Sequence, residues 1–254
     1  MRKIQTPLKQ YGLIGYFDIL GYQNLLRNNN DDASIKLIFD LLEGIPEEVR
    51  SKSQHRFPDN GGATNLSIIL DDLGFTVFSD TIIMSLPIPK NEHWPFQMLK
   101  WGIFTLATAL LQRLMFDHGL PIRGAISIGD FWLKDSLLAG RPIISAHDAS
   151  NSADAAIVVL DRSAEEKYRA EFKPGDLPLL KEYPIPRKDG SAPIGIVLDF
   201  TQLDGPDLNA LIGDTRAIVT KRFSQHRKFI APEVLQKLNN TEMFIRIMKP
   251  PVGI

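Results

Sequence analysis

Two stretches decide how this chain is read: Gly15-Tyr-Phe-Asp-Ile-Leu-Gly-Tyr22, and further on Val77-Phe-Ser-Asp-Thr-Ile-Ile-Met-Ser85. Each sets one aspartate, Asp18 or Asp80, at the end of an apolar run of β character. If the two runs are neighbouring strands, both carboxylates converge on the same divalent ions. The carbonyl of Ile19, next to Asp18, can serve a hard cation as well. The turn Leu20-Gly21-Tyr22-Gln23 then leads into a predicted helix whose free N–H groups suit phosphate oxygens, and Gly21 lets backbone approach closely.

Outward from these motifs, Leu13 to Leu20 reads as a buried strand, with helical spacing from Tyr22 to Arg27 and again from Ala33 to Leu42 until Gly44 and Pro46 stop it. Ser51 to Asn65, polar and holding Pro58 and Gly61-Gly62, reads as a mobile surface loop. Leu66 to Leu70 and Gly74 to Leu86 read as two strands joined at Asp71-Asp72, the second carrying Asp80. Trp94 to His118 holds the strongest helical pattern, with Phe96, Leu99, Ile103, Leu106, Leu110 and Leu114 at spacings of three and four; it predicts a helix for core or dimer packing. A strand at Ile122 to Ile128, a short helix near Ile143 to Ala155 and a strand at Ala156 to Leu160 follow. The order strand, helix, strand, strand, helix, strand predicts an α+β fold, the ferredoxin-like palm (βαββαβ). Beyond it the pattern gives a helix at Ala164 to Phe172, a strand at Ile194 to Phe200, a helix around Asp207 to Phe229 and a last apolar run from Met243 to Met248. No repeat or linker divides the chain.

At 254 residues and 44% hydrophobic content the chain can bury a substantial core, and its net charge of −1 lacks the excess of a general nucleic-acid binder. A free nucleotide fits better than a polymer. With no cysteine, disulfides, thiolate nucleophiles and zinc–cysteine sites are excluded. The longest apolar stretch, Trp101 to Phe116, is broken by Gln112 and Arg113, and no apolar signal core follows Met1, so the expectation is a cytoplasmic protein without a membrane span. Neither a Walker Gly-Lys-Ser/Thr nor a dinucleotide fingerprint is present.

Attack on the α-phosphorus of a nucleoside triphosphate needs cations to offset the charge of nucleophile and leaving group, and two ions roughly 3.5 to 4 Å apart, bridged by carboxylates, supply them. Asp18 and Asp80 fit that role. Taken singly, each motif also fits an ordinary strand with a capped helix or a hairpin decoration; their joint occurrence favours a site. Arg123, at the start of a strand, is a candidate for charge stabilisation, set against a structural ion pair. His147 reads as a packing or hydrogen-bonding residue. The basic cluster Lys221-Arg222 with Arg227-Lys228 reads as a solvated helix face.

Phe17-Asp18-Ile19-Leu20-Gly21-Tyr22, Phe78-Ser79-Asp80-Thr81 and Arg123-Gly124-Ala125-Ile126-Ser127-Ile128-Gly129 resemble, in order, three landmarks of class III nucleotidyl cyclases, and Gly140 to His147 resembles the fourth. The wording is most similar to the bacterial pyrimidine cyclases of the Pycsar anti-phage system. The resemblance covers residues 11–161 as the catalytic core and leaves 162–254 as a C-terminal extension completing the same domain. It implies Asp18 and Asp80 as catalytic metal-binding carboxylates with Ile19 as a backbone ligand, two Mn²⁺ or Mg²⁺ ions, and Phe17, Gly21, Tyr22 and Gln23 about the substrate. It further implies UTP as preferred substrate with CTP as the alternative, a homodimer with sites at the interface, and a cyclic product acting on a separate effector. Aligned on Asp80 and Gly140, Thr76 and Leu137 fall where purine-reading relatives carry lysine and aspartate, which argues against cyclic AMP. Ile144 and Asp148 fall where many relatives carry a transition-state asparagine and arginine, so that role is filled otherwise or the fourth motif is shifted. Two other readings stand beside this one. A different palm-type phosphoryl transferase would normally show an adjacent acidic pair, which Ser79-Asp80 is not; a catalytically silent nucleotide-binding sensor keeps the fold without the chemistry.

Overall fold

The computed structural model describes residues 7–23, 26, 32–56, 63–134, 137–203 and 231–248, and within them all side chains except those of 33, 34, 37 and 63–65. The expected helix around Asp207 to Phe229, with the Lys221 to Lys228 cluster, lies outside the described residues.

Strand β1 (Leu8–Ile19) is the centre of the palm. It pairs antiparallel with β3 (Thr81–Pro87) on one side and with β4 (Ile122–Lys134) on the other, and β2 (Gly74–Phe78) pairs with β3 at the edge. The sheet runs β2-β3-β1-β4-β6-β8-β7, with β5 (Leu137–Gly140) on β4. Its first four strands, with α1 (Asp32–Arg56) and α2 (Ala63–Asp71) before β2 and α3 (Trp94–Asp117) before β4, give the βαββαβ order of an α+β palm. Then come α4 (Arg141–Ser152), β6 (Val158–Leu160) parallel to β4, and α5 (Arg162–Glu171). Strands β7 (Leu180–Pro184) and β8 (Ile194–Leu198) extend the same sheet, and α6 (Pro232–Met248) closes the described chain. One sheet therefore runs through both parts of the sequence.

The two faces of β1 part by residue parity. Leu13, Phe17 and Ile19 join the core packed on α3, and a side chain at Gly15 would meet the Phe104 ring of that helix at 3.4 Å. Tyr16 and Asp18 lie on the opposite face, where α4 packs and the Tyr16 ring meets His147. Helix α3 is buried almost all round from Lys100 onward, and two of its polar members reach other elements: Lys100 donates to the Pro87 carbonyl at 3.0 Å and Gln112 Nε2 to that of Ala156 at 2.9 Å.

Three expectations are corrected. Helix α1 does not stop at Gly44 and Pro46 but continues to Arg56. Leu42, Ile45, Val49 and Ser53 form one buried stripe, and packing that stripe outweighs the single helical hydrogen bond that proline removes. The expected loop at 51–65 therefore begins and ends in helix. Leu66 to Leu70 is helix, not strand: Leu66, Ile69 and Leu70 are buried while Ile68 is exposed, a period of 3.6 that a short apolar run conceals. The hairpin accordingly shifts to Gly74–Phe78 and Thr81–Pro87, turning on Ser79 and Asp80. Strand β4 also runs past Gly129, because that glycine receives Pro142 of α4, where a side chain would stand 2.9 Å from the ring.

Candidate active site

Phe78 pairs with Thr81, so the β2–β3 hairpin closes through two residues, and Ser79 takes a left-handed φ of 56°. That turn delivers Asp80 beside the end of β1, where the Ile19 N–H donates to the Asp80 carbonyl at 3.0 Å. On the other side Asp18 stands opposite Arg123 in the β1–β4 register. Three motifs distant in sequence thus meet at one sheet end because β1 is the central strand. In an antiparallel strand the N–H and C=O of one residue point the same way, so the Ile19 carbonyl also faces the Asp80 turn.

Arg123 donates to Asp18 Oδ2 through Nε at 3.2 Å and Nη2 at 3.0 Å, and Nη2 donates again to Asn151 Oδ1 at 2.7 Å. Both contacts to Asp18 fall on one oxygen. Among the described residues no donor reaches Asp18 Oδ1 or the Asp80 carboxylate. Burial pushes the Asp18 carboxyl above the usual aspartate value; Arg123 pulls it down, Asp80 pushes it up and His147 pulls it down, leaving it raised. Tyr22, half-buried, is raised by burial and then by the nearby Asp80 charge.

These features test whether a divalent cation fits. Two acids with uncommitted oxygens and a carbonyl turned toward them are hard oxygen donors. Among the described residues no group of three or more His, Cys, Asp or Glu could hold a metal ion.

The other sequence candidates divide. Phe17, expected beside substrate, is core: its ring lies over Gly15 and Gly124, each of which would clash with it if it carried a Cβ. Gly21 adopts φ 77°, the left-handed conformation that glycine takes without steric cost, and Val234 of α6 lies beside it. Gln23 is exposed in the helical turn after it. Ile144 is exposed and Asp148 accepts from the His147 ring; the α4 side chain that reaches the site is Asn151, one turn further on. Sequence reading missed Asn151, Tyr16, whose hydroxyl lies 3.4 Å from Thr81 Oγ1, and Lys188, whose ammonium is lowered by burial and then by Arg123 and Lys237. The i, i+4 spacing of His147 and Asn151 was the one signal on offer.

No family model and no curated protein matches the chain. Among solved structures it is similar to the adenylyl cyclase CyaB from P. aeruginosa, at 14% identity over 76% of this chain and 95% of that one, TM-score 0.45. It is similar to the guanylyl cyclase Cya2, at 11% identity over 76% of this chain and 93% of that one, TM-score 0.41. A class III adenylyl cyclase-like ATP-binding protein from Pseudomonas aeruginosa is 13% identical over 90% of this chain and 47% of its own length, TM-score 0.47.

Proposed function

We propose that this chain is a metal-dependent nucleotidyl cyclase that converts a pyrimidine nucleoside triphosphate, UTP by preference and CTP as the alternative, into its 3′,5′-cyclic monophosphate and diphosphate. The observation that carries the reading is the meeting of Asp18, Asp80 and the Ile19 carbonyl at one sheet end, with oxygens uncommitted. The motif wording supplies the base preference and the setting: a homodimeric cytoplasmic enzyme whose product signals to a separate effector in Pycsar defence. No helix among the described residues is long and apolar enough to cross a membrane.

Asp18, Asp80 and Ile19 would hold the divalent ions, which would supply a lowered pKa for the ribose 3′-hydroxyl and charge neutralisation at the phosphates. The 3′-oxygen bonds to the α-phosphorus as the bond to the bridging oxygen of the β-phosphate breaks; the hydroxyl proton leaves to solvent and diphosphate departs. Arg123 offsets charge beside the α-phosphate. Gly21 lets the backbone approach the phosphates, and Tyr22 offers a hydroxyl at the same edge. No covalent enzyme intermediate is needed.

The test is incubation with ATP, GTP, CTP and UTP separately, with Mn²⁺ or Mg²⁺, and identification of products by mass. A cyclic pyrimidine monophosphate absent from folded Asp18→Ala and Asp80→Ala variants is expected. No product from any nucleotide would refute the cyclase and leave the silent binding module, a reading favoured by the absence of an asparagine and arginine at Ile144 and Asp148.

A further inference from the structure

The contact between Arg123 and α4 is not demanded by the fold. Arg123 shares one nitrogen, Nη2, between Asp18 Oδ2 and Asn151 Oδ1, and places Nε on the same Asp18 oxygen. A guanidinium facing a carboxylate without other restraint takes both oxygens in a fork. Here it is held off that geometry, and Asn151 is the group that holds it.

The amide orientation follows from the partners. Guanidinium only donates, so Asn151 turns its oxygen to Arg123 and its Nδ2 to the His147 ring, 2.8 Å from Nε2 and 3.5 Å from Nδ1. His147 Nδ1 in turn lies 3.1 Å from Asp148 Oδ1. The edge of the Tyr16–His147 pair, with centroids 5.1 Å apart, fixes the imidazole against the sheet. A chain of polar contacts therefore runs Arg123, Asn151, His147, Asp148, from the half-buried site to the exposed surface of α4.

We propose that Asn151 is a positioning residue that holds Arg123 on one oxygen of Asp18 and so keeps the other, Oδ1, open to a divalent cation. The proposal rests on the reading of Asp18 and Asp80 as a cation site. It assigns α4 a role through Asn151, with His147 orienting the amide, whereas neither Ile144 nor Asp148 reaches the carboxylates. Without Asn151 the guanidinium closes into the two-oxygen fork and competes with the cation.

The experiment is a Mn²⁺ titration read by electron paramagnetic resonance on the full chain: wild type, Asn151→Ala, Arg123→Ala and the double variant, with Ser145→Ala on the exposed side of α4 as control. Thermal melts check that each is folded. Asn151→Ala is expected to bind Mn²⁺ roughly tenfold more weakly, the change that follows loss of one charge-assisted hydrogen bond. In the Arg123→Ala background the same substitution should change nothing, since the competitor is gone, while Ser145→Ala matches wild type. Equal Mn²⁺ affinity in wild type and Asn151→Ala, an undiminished effect in the Arg123→Ala background, or no saturable Mn²⁺ binding by wild type each overturns the proposal. Product formation without this coupling sinks the role of Asn151 alone; the coupling without any product sinks the cyclase reading and leaves Asn151 in place.

Discussion

Gly124→Ala tests the packing that carries the site. Gly124 lies opposite Phe17 in the β1–β4 register, and the ring of Phe17 lies across it. A Cβ at position 124 would stand 2.3 Å from Phe17 Cδ1 and 2.6 Å from the Tyr16 carbonyl oxygen. The ring is confined on its other side by Gly15, where a Cβ would meet Phe17 Cζ at 2.5 Å, and Phe17 is wholly buried. The ring thus occupies a slot that two glycines open, and the carbonyl belongs to the central strand. Neither neighbour can move without shifting β1. Overpacking of this kind costs about 1–3 kcal/mol, and here the upper end applies because one clash is with backbone. For a chain of this size that is a fall in Tm of roughly 6–12 °C. The assay is a thermal melt together with urea denaturation on wild type, Gly124→Ala, Phe17→Leu and the pair. Leucine removes the ring clash and leaves the carbonyl clash, so the pair should be less destabilised than the sum of the singles, but not restored. A melt of Gly124→Ala within about 2 °C of wild type, or strict additivity with Phe17→Leu, would refute this account of the slot.

Two further expectations concern strain and buried charge. Ser79 holds φ 56° in a two-residue hairpin turn, so Ser79→Gly should be tolerated while Ser79→Val costs about 1–2 kcal/mol; equal denaturation midpoints for the two variants would show that the turn relaxes at no cost. Asp199 is almost wholly buried and burial raises its carboxyl above the usual aspartate value, so the fold favours its protonated form. That contribution is present below the unfolded value and lost as pH rises through the folded one. Asp199→Asn should therefore raise Tm by a few degrees near neutral pH, with the gain fading as pH falls toward the ordinary aspartate range; a gain independent of pH would contradict it.

The palm was legible because its signals are local: an apolar run ended by an acid, a long helical stripe, a glycine-bounded strand. The convergence of Asp18 and Asp80 was legible for the same reason, since strand ends on neighbouring strands must meet. What failed was period in short runs. Leu66 to Leu70 is apolar enough for either element, and its three buried positions, Leu66, Ile69 and Leu70, are too few to set a helical period apart from a buried strand. Pro46 and Gly129 were read as stops, yet each sits where packing across elements decides: the buried stripe of α1 in one case, Pro142 of α4 in the other. The resemblance implies Phe17 about the substrate, but adjacent residues on a strand face opposite ways, and an acid on the α4 face puts its neighbour in the α3 core. Asn151 offers one signal, its i, i+4 spacing from His147, but its partner, Arg123, is distant in sequence, and that spacing does not say which turn of α4 faces the carboxylates.

Among the described residues two acids, half-buried Asp18 and buried Asp199, have carboxyls raised by burial, and comparing them separates the candidate site from a structural group. Asp199 accepts from the Thr201 N–H at 3.2 Å and hydroxyl at 2.6 Å, both on Oδ1, at the end of β8 where the backbone turns into a short 3-10 helix, Phe200–Leu203. Its partners are two residues away, so the contact fixes a local turn, while Oδ2 stays buried without a hydrogen-bond partner among the described residues. Asp18 is held by a side chain from another strand, faces a second acid whose charge pushes it further up, and keeps one oxygen without a donor among the described residues. Burial costs both groups. What separates them is the neighbour: no second acid pushes on Asp199, whereas the charge of Asp80 raises Asp18 further. On the proposed reading a cation at Asp18 would relieve that repulsion and meet the open oxygen together, a gain that Asp199, held in its local turn, would not share.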